Sequence, residues 1–138
     1  MKILFVHEVS WFSKVVYEIH DFPELLSLKG HDVYFLEFEE NHSRAHWKSV
    51  TSVESRSHAG SKVSVISPPH LFSGILRRTA AVFIQPFVFI RLLKQIRPDV
   101  VVTYSIPTSG WQVVSICKRK QIPVVVRAID VSHKLRKT

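Results

Sequence analysis

The stretch PDVVVTYSIPTSGWQVVSICKRK, Pro98 to Lys120, decides the fold class of this chain. It begins with an unbroken apolar run, turns through Pro107 and Gly110, and continues into a segment that ends in cations. An apolar run without polar alternation is typical of a strand covered on both faces, as in a parallel sheet. Cations favour the carboxyl end of a helix. The stretch therefore predicts a strand, a short turn and a helix in direct succession.

Apolar runs of strand length recur along the chain. Strands are predicted at Lys2–Val6, His31–Phe38, Lys62–Ser67, Pro98–Tyr104 and Ile122–Ala128. Segments with helical spacing separate most of them, and the polar residues 39–61 predict a long loop or a loosely held helix. Residues 1–138 are therefore predicted to form a single α/β domain. Its architecture is a Rossmann-like doubly wound parallel sheet with right-handed crossovers and strand order 3-2-1-4-5.

The first connecting segment carries helix start and stop signals. Lys14–Lys29 predicts a helix that ends at Gly30, a natural carboxyl-terminal cap. Pro23 is expected to kink or divide this helix, because proline lacks an N–H donor and its ring crowds the preceding turn. Asp21, followed three residues later by Glu24, resembles a capping box that restarts it.

A second helical segment, Leu71–Ile96, combines apolar and basic residues and predicts one helix, or two broken at Pro86. Its longest uncharged part, TAAVFIQPFVFI, is too short to span a bilayer. One interpretation is a basic segment that lies on a membrane surface, and the other is a core-facing helix whose long side chains reach water. The cations predicted to face a membrane are Arg77, Arg78, Arg91 and Lys94.

Composition limits the classes of function. The chain has 138 residues, of which 46% are hydrophobic, enough for one domain with its own core. It has 19 Lys and Arg against 11 Asp and Glu, and the net charge of +8 attracts anionic partners. The single cysteine, Cys117, excludes an internal disulfide, fits a reducing compartment and is expected in the core. Clustered aromatic and basic motifs of nucleic-acid-binding domains are missing, so no nucleic acid is expected as a partner.

The predicted topology places a ligand site where the strand order reverses, between the carboxyl ends of the first and fourth strands. Loops 7–13 and 104–110 should face each other across this crevice, with Asp130 beside them. The residues predicted to line the cleft are His7, Glu8, Trp11, Ser105, Thr108, Ser109 and Gly110. Two interpretations of the turn before Gly110 remain open, namely an anion site at a helix start and a simple helix cap.

Nucleotide and metal signatures are missing from the sequence. It contains neither a G-x-G-x-x-G stretch nor a P-loop, so neither kind of phosphate site is predicted. His42 and His46 are four residues apart, but Ser43 stands where a metalloprotease motif has glutamate. No metal and no other cofactor are therefore expected. Glu8 or Asp130 could act as a general base, although Asp130 could equally cap a turn.

Three stretches, MKILFVHE, LLSLKGHDVYFL and IRPDVVVTYSIPTSGWQVVSICKRKQIPVVVRAID, together resemble the N-terminal domain of GT-B fold glycosyltransferases of the family 4 type. The resemblance covers nearly the whole chain. It implies retaining, metal-independent transfer of a sugar from a nucleotide-sugar donor to a saccharide or lipid-linked acceptor, which binds this domain. It also implies that Asp130 is a catalytic-loop residue. Two departures are SWFSK in place of a Gly-Gly pair and Ile129 in place of a histidine.

The resemblance also carries expectations about partners. In this family the donor binds a second Rossmann-like domain, and the sequence reaches SHKLRKT before any such domain. We therefore expect an acceptor-binding half that is inactive alone and needs a C-terminal donor domain or a partner subunit. The expected location is cytoplasmic, peripheral on the inner face of the plasma membrane. The alternative is a non-catalytic module that docks on a membrane or a partner protein through its basic face.

Overall fold

The computed structural model describes residues 1–12, 16, 18–37, 50–68, 75–104 and 110–127. The strands are β1 (Lys2–His7), β2 (Asp32–Glu37), β3 (Val50–Glu54), β4 (Val63–Ser67), β5 (Val100–Tyr104) and β6 (Val124–Arg127). The helices are α1 (Glu18–Leu28), α2 (Ile75–Ile96) and α3 (Gly110–Arg119). The strands form one sheet with the order β3-β4-β2-β1-β5-β6.

Five strands of the sheet are parallel and follow the predicted order. Within β4-β2-β1-β5-β6 every neighbouring pair runs parallel, which confirms the order 3-2-1-4-5 for the predicted strands. The central strand β1 is buried from Ile3 to His7. An apolar strand without alternation suits this place, because helices cover both faces of a parallel sheet. The predicted α/β class is therefore confirmed.

The sixth strand, β3, lies in the stretch for which the sequence predicted a loop or a helix. It pairs antiparallel with β4, with Val50 opposite Ser67 and Glu54 opposite Val63. The prediction was wrong for residues 50–54, and residues 38–49 lie outside the described part of the chain. Three of the five residues in VTSVE are β-branched, which suits a strand at the edge of a sheet. Val53 is exposed, as expected at an edge.

Prolines do not divide the helices. α1 runs through Pro23 without the division that the sequence offered as one outcome. α2 runs through Pro86, which confirms the prediction of one helix over the alternative of two. Pro23 is the sixth residue of α1 and is buried, and tertiary packing of a buried helix face can outweigh the hydrogen bond that its missing N–H removes. The predicted carboxyl-terminal cap is confirmed, since Gly30 has φ +83° and its N–H donates to Ser27 O at 2.9 Å.

Two hydrophobic clusters lie on opposite faces of the sheet. Successive residues of a strand point to opposite faces, so Leu4 and Val6 join one cluster while Ile3 and Phe5 join the other. The first cluster includes residues of α2 and α3, and the second includes Ile19 of α1. Cys117 belongs to the first cluster, where burial raises the pKa of its thiol to about 11. The prediction that Cys117 is a core residue is confirmed.

Glu24 ties α1 to the turn between β3 and β4. Its carboxylate is buried and accepts three backbone N–H bonds, from Arg56 at 2.6 Å, Ser57 at 2.9 Å and His58 at 2.6 Å. Burial alone would raise the pKa of this carboxyl, but the backbone donors outweigh burial and lower it. Glu24 therefore holds a neighbouring turn, and does not cap its own helix as the sequence predicted.

Candidate functional site

All five parallel strands end on a polar or ionisable side chain. In spatial order across the sheet these terminal residues are Ser67, Glu37, His7, Tyr104 and Arg127. We call these five residues the carboxyl-edge row. Register places His7 beside Glu37 and Tyr104 beside Arg127, so the row lies at one level of the sheet. In open α/β sheets, ligands bind outside the carboxyl ends of the strands, and this row therefore marks the candidate site.

Glu37 organises the loop that follows β1. Its side chain is 1% exposed, and its two oxygens have different partners. Oε2 accepts the Trp11 backbone N–H at 2.7 Å, and Oε1 accepts the hydroxyl of Ser67. A buried carboxylate with charge-assisted hydrogen bonds is a strong local anchor. Glu37 thus joins the ends of β2 and β4 to the loop after His7.

Trp11 belongs to this loop, and its side chain lies in the core. Its indole is fully buried, with ring centroids 4.7 Å from Phe35 and 4.6 Å from His20. The Trp11 carbonyl oxygen is 2.8 Å from His20 Nε2 and also accepts a hydrogen bond from the Arg56 guanidinium. The loop after β1 is therefore held by α1 and by the β3–β4 turn as well as by Glu37.

His7 has a defined tautomer. Its Nδ1 accepts the backbone N–H of Val9 at 3.0 Å, so a neutral ring carries its proton on Nε2. Nε2 is buried and has no hydrogen-bond partner among the described residues. The ring centroid is 4.5 Å from that of Tyr104 and 6.2 Å from that of Phe35. Burial, together with repulsion from His20, lowers the pKa of His7 to about 4, so the ring is uncharged at neutral pH.

Arg127 is the last residue of β6 and lies at one end of the carboxyl-edge row. Its guanidinium carbon lies 5.2 Å from the ring centroid of Phe22 and 5.8 Å from that of Tyr104, both within cation–π range. The same guanidinium forms an ion pair with Glu18 at the start of α1. Arg127 thus links β6 to α1 across Tyr104, and a carboxylate already balances its charge.

The predicted cleft residues have different outcomes. His7 lies in the carboxyl-edge row, and Glu8, half-buried, follows it directly. Trp11 was predicted to line the cleft, but its indole lies in the core, and the exposed aromatic residue of this loop is Phe12. Gly110 is buried at the first position of α3, next to the 64% exposed Trp111. Predicted residues that lie outside the described ranges are Ser105, Thr108, Ser109 and Asp130, together with His42 and His46.

Sequence reasoning missed four of the five residues in the carboxyl-edge row as site residues. These four are Ser67, Glu37, Tyr104 and Arg127. Each stands at the end of an apolar strand, and a polar residue that ends such a run is the signal that could have found it. Within the ranges that the structure describes, no three His, Cys, Asp or Glu side chains lie close enough to bind a metal ion.

An exposed stripe runs along α2. Phe83 and Phe87 are 73% and 76% exposed, and Arg91 and Lys94 are exposed as well. Their spacing puts all four on one face of the helix, and we call them the α2 stripe. Arg77 and Arg78 lie in the first turn of α2, where side chains are not described. Among the described helices, none has the length and apolar character needed to cross a membrane.

The buried face of α2 packs on the sheet through Phe89, Leu93 and Ile96. The interpretation of α2 as a core-facing helix therefore accounts for only one of its sides. The two exposed phenylalanines on the other side are not explained by that interpretation, because apolar rings of this size are normally covered or used in contacts.

Comparison with known proteins found no matching family model, and neither the curated proteins nor the solved structures contain a significant match to this chain.

Proposed function

We propose that this chain is the acceptor-binding half of a glycosyltransferase, which transfers a sugar from a nucleotide-sugar donor to a saccharide or lipid-linked acceptor. The resemblance of its sequence to GT-B family 4 enzymes supports the proposal. The single observation that carries it is the carboxyl-edge row, in which the buried His7 Nε2–H has no partner among the described residues, at the point where parallel sheets bind ligands.

The chemistry of the row favours an uncharged, hydroxyl-rich ligand over a phosphate. A phosphate site needs cations or several converging N–H groups. Here the His7 ring is neutral, and the Arg127 guanidinium is paired with Glu18. Trp111, the second residue of the helix after β5, has an exposed indole that offers a flat apolar surface. A sugar ring, with both hydroxyl groups and apolar faces, matches this combination.

In this proposal the domain binds and orients the acceptor. The nucleotide-sugar is a substrate that binds mainly to a second domain or subunit, and no metal takes part. The chain by itself then binds acceptor without turnover. Asp130 remains a proposed catalytic-loop residue on the strength of the resemblance alone.

We expect saccharides to perturb the carboxyl-edge row and nucleotides to leave it unchanged. Methyl glycosides of glucose, mannose, galactose and N-acetylglucosamine are titrated into isotope-labelled chain, with UDP and GDP as comparison probes. Amide resonances of Val9, Trp11 and Tyr104 should shift with at least one glycoside, because their loops or strands border the site. Resonances on α2 serve as the internal control. Stronger shifts with UDP or GDP than with every glycoside would contradict the proposal.

The α2 stripe favours a second candidate function, namely docking on an anionic membrane. Two exposed phenylalanines can insert at the acyl boundary while Arg91 and Lys94 meet lipid phosphates. If membrane docking is the only function of the chain, the protein is a non-catalytic docking module. It is also compatible with an enzyme that acts on a lipid-linked acceptor at the inner face of the plasma membrane.

Vesicle co-sedimentation tests membrane docking. Replacing Arg91 and Lys94 together by Glu should reduce binding to phosphatidylserine vesicles by more than about tenfold, since each cation near the surface contributes about 1 kcal/mol. The matched control changes Lys62 and Lys120 to Glu, two exposed cations outside α2 with the same change in net charge. An equal loss in the control variant would assign the effect to net charge and reject the α2 stripe as the docking surface.

A further inference from the structure

We propose that His7 binds the acceptor as an uncharged hydrogen-bond donor, through Nε2–H to a hydroxyl oxygen, and that it does not act as the catalytic base. This inference deepens the proposed function, on which it rests for the class of ligand. The hydrogen bond that the ring accepts fixes Nε2 as a donor.

The first support is the bond between Val9 and His7. A backbone N–H can only donate, so the Nδ1 that receives it at 3.0 Å must be the unprotonated nitrogen of a neutral ring. The proton then resides on Nε2. A general base accepts a proton on a free lone pair, and in this tautomer neither nitrogen offers one, because Nδ1 is already occupied. The acceptor hydroxyl must therefore lose its proton to another group.

The second support is the burial of Nε2. His7 is 7% exposed, and Nε2 has no hydrogen-bond partner among the described residues. A buried N–H without an acceptor costs free energy, because it has given up its bond to water. A ligand oxygen that accepts a hydrogen bond from Nε2–H removes this unfavourable free energy. Nε2 is shielded from solvent in the ligand-free chain, so a ligand oxygen reaches it only when the site opens.

The third support is the set of groups around the ring. Tyr104 and Phe35 flank it, and His20 on α1 repels a proton from it. The neighbouring carboxylate of Glu37 is committed to Trp11 N and the Ser67 hydroxyl. Arg127 lies beyond the Tyr104 ring and is paired with Glu18. Within the ranges that the structure describes, these contacts leave His7 without a carboxylate partner. They therefore favour a neutral donor over a cation that would pair with an anionic ligand.

Nitrogen-15 NMR of the ligand-free chain tests the tautomer. We expect His7 to show a protonated Nε2 and an unprotonated Nδ1 from pH 8 down to about pH 5. The Nε2 proton should exchange slowly with water, since the atom is buried. A proton on Nδ1, or a doubly protonated ring at pH 6, overturns the assignment whatever ligand the site takes.

Two substitutions of His7 separate the donor from the acceptor. His7→Gln can place an amide N–H near the position of Nε2, whereas His7→Asn can accept from Val9 N–H but has no donor that reaches as far. His7→Asn should weaken binding of the most effective methyl glycoside at least about tenfold more than His7→Gln does. Thermal unfolding of both variants checks that each is folded. Equal affinity of the two folded variants overturns the proposal.

The choice of probe distinguishes this inference from the proposed function. A glycoside that shifts the Nε2 signal and binds His7→Gln more tightly than His7→Asn supports both the proposed function and the role of His7 as a donor. If UDP produces the same shift and preference and no glycoside does, His7 is a donor but the domain does not bind a saccharide acceptor. If no probe moves the Nε2 signal, the assignment of His7 as a ligand-binding residue is overturned.

Discussion

Replacing Glu24 with alanine is expected to lower the free energy of unfolding by about 3 kcal/mol. The buried carboxylate accepts the backbone N–H groups of Arg56, Ser57 and His58 at 2.6 to 2.9 Å. Alanine leaves these three donors without their acceptor and removes the contact between α1 and the β3–β4 turn. Urea unfolding followed by circular dichroism at neutral pH measures the loss.

The matched control for this prediction is Glu18→Ala, the same chemical change on the same helix. Glu18 forms a partly exposed ion pair with Arg127, and such pairs contribute about 0 to 1 kcal/mol. Hydrogen exchange adds a local measurement, since the amides of residues 56–58 should lose protection in Glu24→Ala. A loss no larger than that of the control would show that Glu24 does not anchor the turn.

The second large effect is a loss of stability in mild acid that depends on His7. Burial and the repulsion from His20 lower the pKa of His7 from 6.5 to about 4 in the folded chain. The unfolded chain therefore binds a proton at a higher pH than the folded chain does. Stability is fully present above about pH 6.5 and falls as the pH decreases toward 4, by about 3 kcal/mol from this group.

Unfolding in urea at several pH values, compared between the wild-type chain and His7→Asn, isolates this contribution. The variant should lose less stability than the wild type between pH 7 and pH 4.5, because it has no imidazole to protonate at this position. The lowered pKa of Glu24 acts in a different window, since its stabilisation is present above the usual carboxyl pKa and disappears at lower pH. Identical pH profiles for the two proteins would mean that His7 is not protected from protonation.

The parallel part of the fold could be predicted because each of its strands coincides with an apolar run in the sequence. KILFV has no polar residue after Lys2, so only a position covered on both faces suits it, and β1 is the central strand. Gly30 predicted the end of α1 for an equally local reason, since glycine adopts a positive φ at little cost. In both cases a short stretch of sequence contains the whole physical cause.

The remaining features depend on partners that are distant in sequence. Pro23 predicted a kink or a division, but α1 continues through this buried proline. Trp11 was predicted to line the cleft, but Glu37, 26 residues away in sequence, accepts its backbone N–H, and the indole is buried in the core. The predicted strand order did bring Tyr104 beside His7, and their ring centroids are 4.5 Å apart. The bond between Glu37 and Ser67, by contrast, joins the ends of two other strands that no single stretch of sequence shows to be in contact.

The central position of β1 has a consequence for how the chain folds. Lys2–His7 is synthesised before both of its neighbours, and one of them, Val100–Tyr104, comes much later. The hydrogen bond from Lys2 N to the Asp99 carboxylate spans 97 residues. Closing such a long loop costs entropy before any contact forms, so parallel sheets of this kind fold slowly. The strand that organises the finished sheet is therefore an apolar segment open to aggregation while the chain is being made.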